Sequence, residues 1–173
     1  VREYSFVEAV EALTGITADW KPPPPAVKKD EPKVLLLPEK NPNTDRVTDY
    51  LFGRGIDYSL IQECIAEGVI YEDRKYHNAI FVGKDAGGTP KYAARRSTIG
   101  SSFKGDVSGS DKRYSFRLLA REPCVSVHLF EAAIDLLSYA TYLKCAGKDY
   151  RTENLLSLSG VYQPKKEIKD SKI

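Results

Sequence analysis

The chain has 173 residues, of which 42% are hydrophobic and 29% are charged, and its formal net charge is +2. This length suits one good core or two small ones in a globular protein. No apolar run approaches the roughly 20 residues that a membrane-spanning helix needs, and the amino terminus has no signal-like segment. We therefore expect a cytoplasmic protein with no membrane partner, and the small net charge does not by itself indicate a nucleic-acid partner.

The spacing of the cysteines and the absence of methionine give two further expectations. Cys64, Cys124 and Cys145 are scattered and match no zinc-binding spacing, which is typical of reduced thiols in an intracellular protein. The chain contains no Met at all, not even a starting one. We therefore expect it to be a piece of a longer polypeptide.

The first 33 residues predict a helix and a linker. Ser5 and Glu8 form a capping box, and Gly15 ends the short helix that begins there. Residues 17–33 contain the run Lys-Pro-Pro-Pro-Pro, which is incompatible with a helix or a central strand. We interpret this segment as an extended, semi-rigid linker, with a Pro-rich ligand for a recognition domain as the alternative.

A pair of helices is predicted next. Asn43 or Thr44 begins the first, which runs to about residue 52, while Asp57 caps the second and Gly68 ends it. Two short helices joined by a Gly-containing turn are also typical of a DNA-reading helix-turn-helix. The second helix, however, has no basic residue on its exposed face, which instead carries Gln62, Glu63 and Glu67. We therefore interpret the pair as a packing module.

The periodicity then changes to that of β-strands. Strands are predicted over residues 69–71, 77–82 and 90–95, with a hairpin turn at 85–88 and a loop over 97–110. Residues 114–119 predict another strand, 125–130 a buried strand, 132–146 a helix and 155–158 a last strand. The strand–helix–strand order predicts a parallel pair. The expected fold is α+β: a helical pair and an antiparallel sheet, followed by an incomplete parallel α/β unit.

Positive charge concentrates between residues 84 and 113, where seven basic residues stand against three acids. Serine, threonine and glycine are interleaved with them, and this mixture of hydroxyls, accessible amides and cations suits a phosphate backbone. Aromatic residues in the same segment could stack on unpaired bases; they are Tyr92, Phe103 and Tyr114. The alternative is a solvated hairpin with a flexible loop. The predicted nucleic-acid contacts are Lys91, Arg95, Arg96, Lys104, Lys112 and Arg113.

Two acids come after the predicted buried strand. Glu131 ends the strand and Asp135 lies four residues on, near the start of a helix, so both are expected on roughly one helix face. This arrangement holds a divalent cation over phosphates in many α/β proteins. An acid in a first helical turn also simply complements the helix dipole. His77 and His128 lack partners at a useful spacing, and we assign neither a catalytic role.

The order of these parts resembles a known family. The segment VSVHLFEAAIDLLS is similar to the first motif of the Toprim fold, the metal-binding domain of topoisomerases and bacterial primases, with Ala132 where that motif has Gly. The segment YLFGRGIDYSLIQECIAEGVIY resembles the helix pair that precedes Toprim in primases, and HNAIFVGKDAGGTPKYAARRS resembles their template-facing hairpin. Residues 34–160 as a whole resemble an uncharacterised domain plus Toprim found in proteins of mobile elements.

The resemblance implies a domain plan. Residues 1–16 would be a helix following a missing zinc-finger-like region, 17–33 the linker, 34–122 a primase-like basic α+β domain, and 123–173 a truncated Toprim-like α/β unit. In the complete parent, Glu131 and Asp135 would hold Mg²⁺ together with a later Asp-x-Asp pair. No Asp-x-Asp follows Asp135 here, so we expect this fragment alone to be inactive.

The function implied is a nucleic-acid-binding module of a primase-like or DNA-processing protein from a mobile element. Its expected partners are DNA, in particular single-stranded DNA, or nucleotides. The alternative is a non-catalytic DNA-binding or scaffold domain with a degenerate Toprim fold. A hydrolase with Glu131 as general base is a further alternative, although no partner group for it is evident.

Overall fold

The computed structural model describes residue 15 and residues 34–100 and 103–160. The helix predicted near the amino terminus and the linker over 17–33 lie outside these residues. The described residues from 34 to 160 belong to one compact unit. Within the described ranges, none of the helices combines the length and the apolar character that crossing a membrane requires.

The two predicted helices are confirmed as α1 (Asp45–Gly53) and α2 (Tyr58–Ala66). The Asp57 carboxylate caps α2 by accepting a hydrogen bond from the backbone N–H of Leu60 at 3.0 Å. At the start of α1, Thr44 occupies the N-cap position but its side chain makes no cap hydrogen bond. Instead the side chain of Asn43 accepts from the backbone N–H of Asp45 at 2.7 Å.

The next element is an antiparallel sheet of four strands, in the order β1 (Ile70–Glu72), β2 (Ala79–Lys84), β3 (Pro90–Arg96) and β4 (Lys104–Asp106). The predicted turn between β2 and β3 is confirmed, and the Asp85 carboxylate accepts hydrogen bonds from the backbone of Gly87 and Thr89. The prediction of a loop over 97–110 was wrong in one respect, because β4 lies inside it. Pairing with β3 creates this strand, since Lys-Gly-Asp has little β propensity of its own.

The second sheet is mixed and has three strands, β5 (Arg117–Leu118), β6 (Val127–Phe130) and β7 (Asn154–Ser157), in the order β5-β7-β6. Helix α3 (Ala133–Cys145) connects β6 to β7, and these two strands are parallel, as the sequence predicts. The strand predicted over 114–119 is shorter than expected, because a 3₁₀ turn (Lys112–Tyr114) occupies its first part.

The prediction that the strand over 125–130 is buried was wrong. Val127 is 55% exposed and Leu129 is 58% exposed, because side chains alternate along β6 and these two lie on the face opposite to the one that packs against α3. His128 lies on the other face, where its Nε2 is 2.8 Å from a carboxylate oxygen of Glu153. It is therefore paired near the surface and is not a core histidine.

One core joins both sheets to all three helices. It includes Val47 of α1, Leu60 of α2, Phe81 of β2, Leu137 of α3 and Leu155 of β7. The other face of the antiparallel sheet covers a smaller apolar cluster, which consists of Tyr71, Ile80, Val82, Ala93 and Val107. Alternate residues of β2 and β3 thus point to opposite sides of the sheet. The α+β class is confirmed.

Gly83 allows the 3₁₀ turn to approach the antiparallel sheet. A Cβ placed on Gly83 would lie 1.6 Å from the backbone oxygen of Tyr114, so no other residue fits there without moving the backbone. The absence of a side chain on β2 therefore lets the segment with Lys112 lie against the sheet. This close approach helps to position Lys112.

Candidate functional site

A cleft of about 310 Å³ lies between the antiparallel sheet and the start of α3. Its far side is formed by residues that come after β6 and β7, among them Glu131 and Ser159. The crevice beyond the carboxyl ends of parallel strands is the usual place for ligands in α/β structures. Phe81, Phe116 and Ile134 add apolar walls.

Four of the six predicted nucleic-acid contacts border this cleft; they are Arg95, Arg96, Lys104 and Lys112. Arg96 pairs with Lys104 across β3 and β4, and the two neighbouring side chains share the face that carries Ala94 and Asp106. Among the described residues, neither Arg96 nor Lys104 makes a side-chain hydrogen bond or ion pair. Their charges are therefore available to a ligand.

Arg95 borders the cleft, but the alternation along β3 puts its side chain on the opposite face of the sheet. There its guanidinium lies 5.5 Å from the centre of the Phe103 ring. Its Nη2 donates a long hydrogen bond, 3.4 Å, to the backbone oxygen of Asp106. The side chains of the adjacent Arg95 and Arg96 thus lie on opposite faces of the sheet.

Lys91 and Arg113 do not border the cleft. The Lys91 ammonium lies 3.7 Å from the carboxylate of Asp85, beside the hairpin turn. The Arg113 guanidinium binds the Asp111 carboxylate at 2.6 Å, and these hydrogen bonds hold the pKa of Asp111 below its usual value. Both cations are thus engaged with acids close to them in sequence.

A polar chain crosses the cleft. The Tyr92 hydroxyl donates to Asp106 Oδ1 at 2.6 Å, while Lys112 Nζ lies 3.3 Å from Oδ2 and donates to the backbone oxygen of Ser159 at 3.2 Å. Burial, reinforced by the Asp106 carboxylate, raises the pKa of Tyr92. The prediction that Tyr92 stacks on bases is therefore wrong, because this side chain is fully buried.

The two predicted metal ligands are placed differently. Glu131 lies between β6 and α3 and borders the cleft, and its carboxylate has no hydrogen-bond partner among the described residues. Asp135 lies in the first turn of α3, where its carboxylate accepts from the backbone N–H of Ala132 at 3.1 Å, and it is not part of the cleft lining. Asp135 thus satisfies a backbone donor at the helix N-terminus.

The described residues contain no group of three or more His, Cys, Asp or Glu side chains arranged to hold a metal. Mg²⁺ takes six oxygen ligands and is usually held by one or two carboxylates together with water and phosphate. Glu131 and Asp135 therefore amount to part of a magnesium site at most.

A second cluster of polar residues, around Glu72, was not predicted from the sequence. The buried carboxylate of Glu72 accepts from Asn41 Nδ2 at 2.6 Å and from the backbone N–H of Val47 at 3.3 Å, and it lies 2.5 Å from His77 Nδ1. His77 adopts a φ of 55°, which is uncommon for a residue other than glycine. No sequence spacing signals this group, because its members come from three separate segments.

Comparisons with known proteins bear on part of the chain. Residues 49–121 match the family described as "Protein of unknown function (DUF3991)". An uncharacterized protein of Bacillus anthracis is 32% identical over 125 residues, which cover 68% of this chain and 35% of that protein. The chain thus spans about a third of the length of this relative. No solved structure matches the chain.

The residues that match the family form only one side of the cleft. It includes the segments that carry Arg96, Lys104 and Lys112, and it ends before β6 and Glu131. The cationic side of the cleft therefore lies within the matched residues. Neither the family description nor the relative's name states a function, so the Toprim resemblance stays a prediction.

Proposed function

We propose that the chain is a nucleic-acid-binding module of a primase-like or DNA-processing protein from a mobile element. The cleft would hold a sugar–phosphate strand or a nucleotide. One observation carries the proposal: Arg96, Lys104 and Lys112, from three separate segments, border one cleft that also receives the carboxyl ends of two parallel strands.

The charge in the cleft favours an anion. Asp106 offsets Lys112 and Glu131 adds one negative charge on the far side, but Arg96 and Lys104 have no acid paired with them among the described residues. A guanidinium binds phosphate oxygens through two parallel hydrogen bonds, and an ammonium adds a point charge. The apolar walls lower the local dielectric, which strengthens both interactions.

The size of the cleft suits a nucleotide or a short stretch of one strand. Its volume of about 310 Å³ is at the lower end of the range for small-molecule pockets. The paired bases of a duplex would not enter such a space. This agrees with the expectation of single-stranded DNA or nucleotides as partners.

The proposal includes part of a magnesium site in the complete parent. Glu131 would contribute a carboxylate from the cleft wall, and Asp135 a second one from the first turn of α3. The remaining ligands would come from residues other than those described, from water or from phosphate. Bound Mg²⁺ would neutralise phosphate charge beside Glu131.

The alternative is a non-catalytic DNA-binding or scaffold domain. It is favoured by the position of Asp135, whose carboxylate is engaged with the helix N-terminus and does not border the cleft. Both proposals require the cationic side of the cleft to bind nucleic acid. They differ in whether Mg²⁺ affects that binding through Glu131.

The first experiment measures the affinity for a fluorescently labelled single-stranded oligonucleotide by anisotropy. We expect the double variant Arg96→Gln with Lys104→Gln to bind at least roughly tenfold more weakly, because losing even one hydrogen bond to a charged group costs about 1.5–3 kcal/mol. The matched control is Arg46→Gln with Lys148→Gln, which removes the same charges from exposed positions outside the cleft. Equal affinities for the two double variants would refute the proposal.

The second experiment separates the magnesium proposal from its alternative. Without Mg²⁺, Glu131→Gln should bind the oligonucleotide up to roughly fivefold more tightly, because removing an exposed charge changes the free energy by about 0.2–1 kcal/mol. In the complete parent, which would supply the remaining ligands, Mg²⁺ should then strengthen binding by the unmodified protein and leave the Glu131→Gln variant unchanged. If Mg²⁺ affects both equally, Glu131 is not a ligand and the non-catalytic alternative is preferred.

A further inference from the structure

The face of the antiparallel sheet turned away from the cleft carries a second cavity. It has a volume of about 420 Å³ and lies between the segment at Pro38, the loop from Asp73 to Tyr76, and Arg95. Arg95 therefore borders both cavities, one on each face of the sheet. The proposed function uses only the first of them.

Tyr76 lines this second cavity, and Phe103 lies against the guanidinium of Arg95, which also lines it. Lys75 Nζ lies 4.8 Å from the centre of the Tyr76 ring, and the Arg95 guanidinium lies 5.5 Å from the centre of the Phe103 ring. Tyr76 is nevertheless 56% exposed and Phe103 47% exposed. Rings held by a cation and still exposed to this extent present a surface on which a nucleobase can stack.

The acids at this cavity are already engaged. The Asp73 carboxylate accepts hydrogen bonds from the backbone N–H groups of Lys75, Tyr76 and Asn78, which fixes the loop. The other acid, Glu39, is paired with Arg74. Lys75 and Arg95 make no ion pair among the described residues, and Arg95 Nε is buried without a hydrogen-bond partner there. Net positive charge thus remains for a phosphate.

We infer that this second face is a subsite for single-stranded nucleic acid, in which one unpaired base stacks on Tyr76, another stacks on Phe103, and their phosphates meet Lys75 and Arg95. The inference rests on the proposed function and extends it to a second surface. Strand β4 lies at the edge of the sheet. A single-stranded oligonucleotide held by Arg96 and Lys104 can therefore pass around this edge to reach Arg95 and Phe103.

The subsite predicts discrimination between single and double strands. Bases in a duplex are stacked on each other, whereas every unpaired base offers a face to an aromatic side chain. Tyr76 and Phe103 should therefore contribute to the binding of single strands only. Arg96 and Lys104 should contribute to the binding of any phosphate backbone.

The experiment compares a labelled single-stranded oligonucleotide with a duplex of the same length. We expect Tyr76→Leu and Phe103→Leu each to weaken single-strand binding roughly fivefold or more, the effect of losing one stacked base. Duplex binding should not change, and Tyr76→Phe and Phe103→Tyr should restore single-strand binding. The matched control is Phe52→Leu, which removes a similarly exposed ring (59%) from α1, outside both cavities.

The outcomes separate this inference from the proposed function. If both leucine variants bind single strands as the unmodified chain does, or weaken single-strand and duplex binding equally, the subsite is overturned. If the subsite is overturned while Arg96→Gln with Lys104→Gln loses affinity, the proposed function stands alone. If the unmodified chain binds neither oligonucleotide, both fail.

Discussion

Two polar regions of the molecule use their charges in opposite ways. At Glu72 a buried carboxylate is surrounded by donors from Asn41, Val47 and His77, which lie on three separate segments. In the cleft, Arg96 and Lys104 stand beside each other without an acid paired to either among the described residues. In the first region the protein's own donors bind the charge, and in the second the charges remain available to a ligand.

The difference indicates which charges stabilise the fold and which are available for binding. A buried charge is tolerated only when it is paired and hydrogen-bonded, so removing it or its partners destabilises the protein. Neighbouring like charges at the surface contribute nothing to stability and repel each other slightly. Substitutions at Glu72 should therefore change the free energy of unfolding, and substitutions in the cleft should change the affinity for nucleic acid.

The largest effect is expected for Glu72→Ala. It leaves the donors of Asn41, Val47 and His77 without their acceptor, so we expect the free energy of unfolding to fall by about 3–5 kcal/mol. Urea denaturation followed by circular dichroism measures this change. The control is Glu131→Ala, an exposed acid, for which we expect less than about 0.5 kcal/mol. Similar losses for both variants would contradict the contrast between the two regions.

A smaller loss is expected for Arg151→Met. This arginine is 9% exposed, and its Nη2 contacts carboxylates of Glu63 at 3.3 Å and Glu67 at 2.5 Å, which ties α2 to the segment before β7. We expect a loss of about 2–3 kcal/mol, because two partly buried carboxylates lose their cation.

Arg121→Met is the matched control for Arg151. It shares the partner Glu63, at 3.6 Å, but its side chain is 66% exposed. Exposed ion pairs contribute less than about 1 kcal/mol, so this variant should stay close to the unmodified chain in the same urea titration. If Arg121→Met costs as much as Arg151→Met, burial is not what distinguishes the two arginines.

Asp57→Ala should lose about 1 kcal/mol at neutral pH because the α2 cap is removed. Hydrogen bonds from Ser59 and Lys144 lower the pKa of Asp57 to about 2. Its folded-state pKa is thus below the unfolded value of about 3.9, so the stabilisation is present above pH 4 and is lost as pH falls towards 2.

The free energy of unfolding, measured between pH 2 and pH 7, tests this dependence on pH. The difference in stability between the unmodified chain and Asp57→Ala should be constant above about pH 5 and narrow below pH 4. The control is Asp49→Ala, which removes an exposed carboxylate of α1. A difference that is the same at pH 2 and pH 7 would show that the charge of Asp57 has no role.

Local signals explain why the helices and hairpin were predictable. Asp57 caps α2 and Gly68, with a φ of 65°, comes just after its end, so both signals lie within the segment that they define. The turn at Asp85 is equally local, since its carboxylate bonds the backbone two and four residues on. Such features depend little on the rest of the fold.

Tertiary context explains what was missed. Strand β4 exists because β3 pairs with it, and Val127 and Leu129 of β6 are exposed because only the other face of that strand packs against α3. The cleft was predicted only in outline: the sequence concentrates cations between residues 84 and 113, but the alternation of β3 decides that Arg96 and not Arg95 points into it. Asn41 and Glu72 are 31 residues apart, so no local pattern reveals their hydrogen bond.

The most direct test is the salt dependence of oligonucleotide binding. The logarithm of the affinity should fall linearly with the logarithm of the salt concentration. Arg96→Gln with Lys104→Gln should reduce the slope by about 1.4, or about 0.7 for each phosphate of a single strand that the variant no longer neutralises. The free energy of unfolding of this double variant should stay within about 0.5 kcal/mol of that of the unmodified chain. An unchanged slope would contradict the role of the open cationic cleft, and so would a variant that loses stability instead of salt dependence.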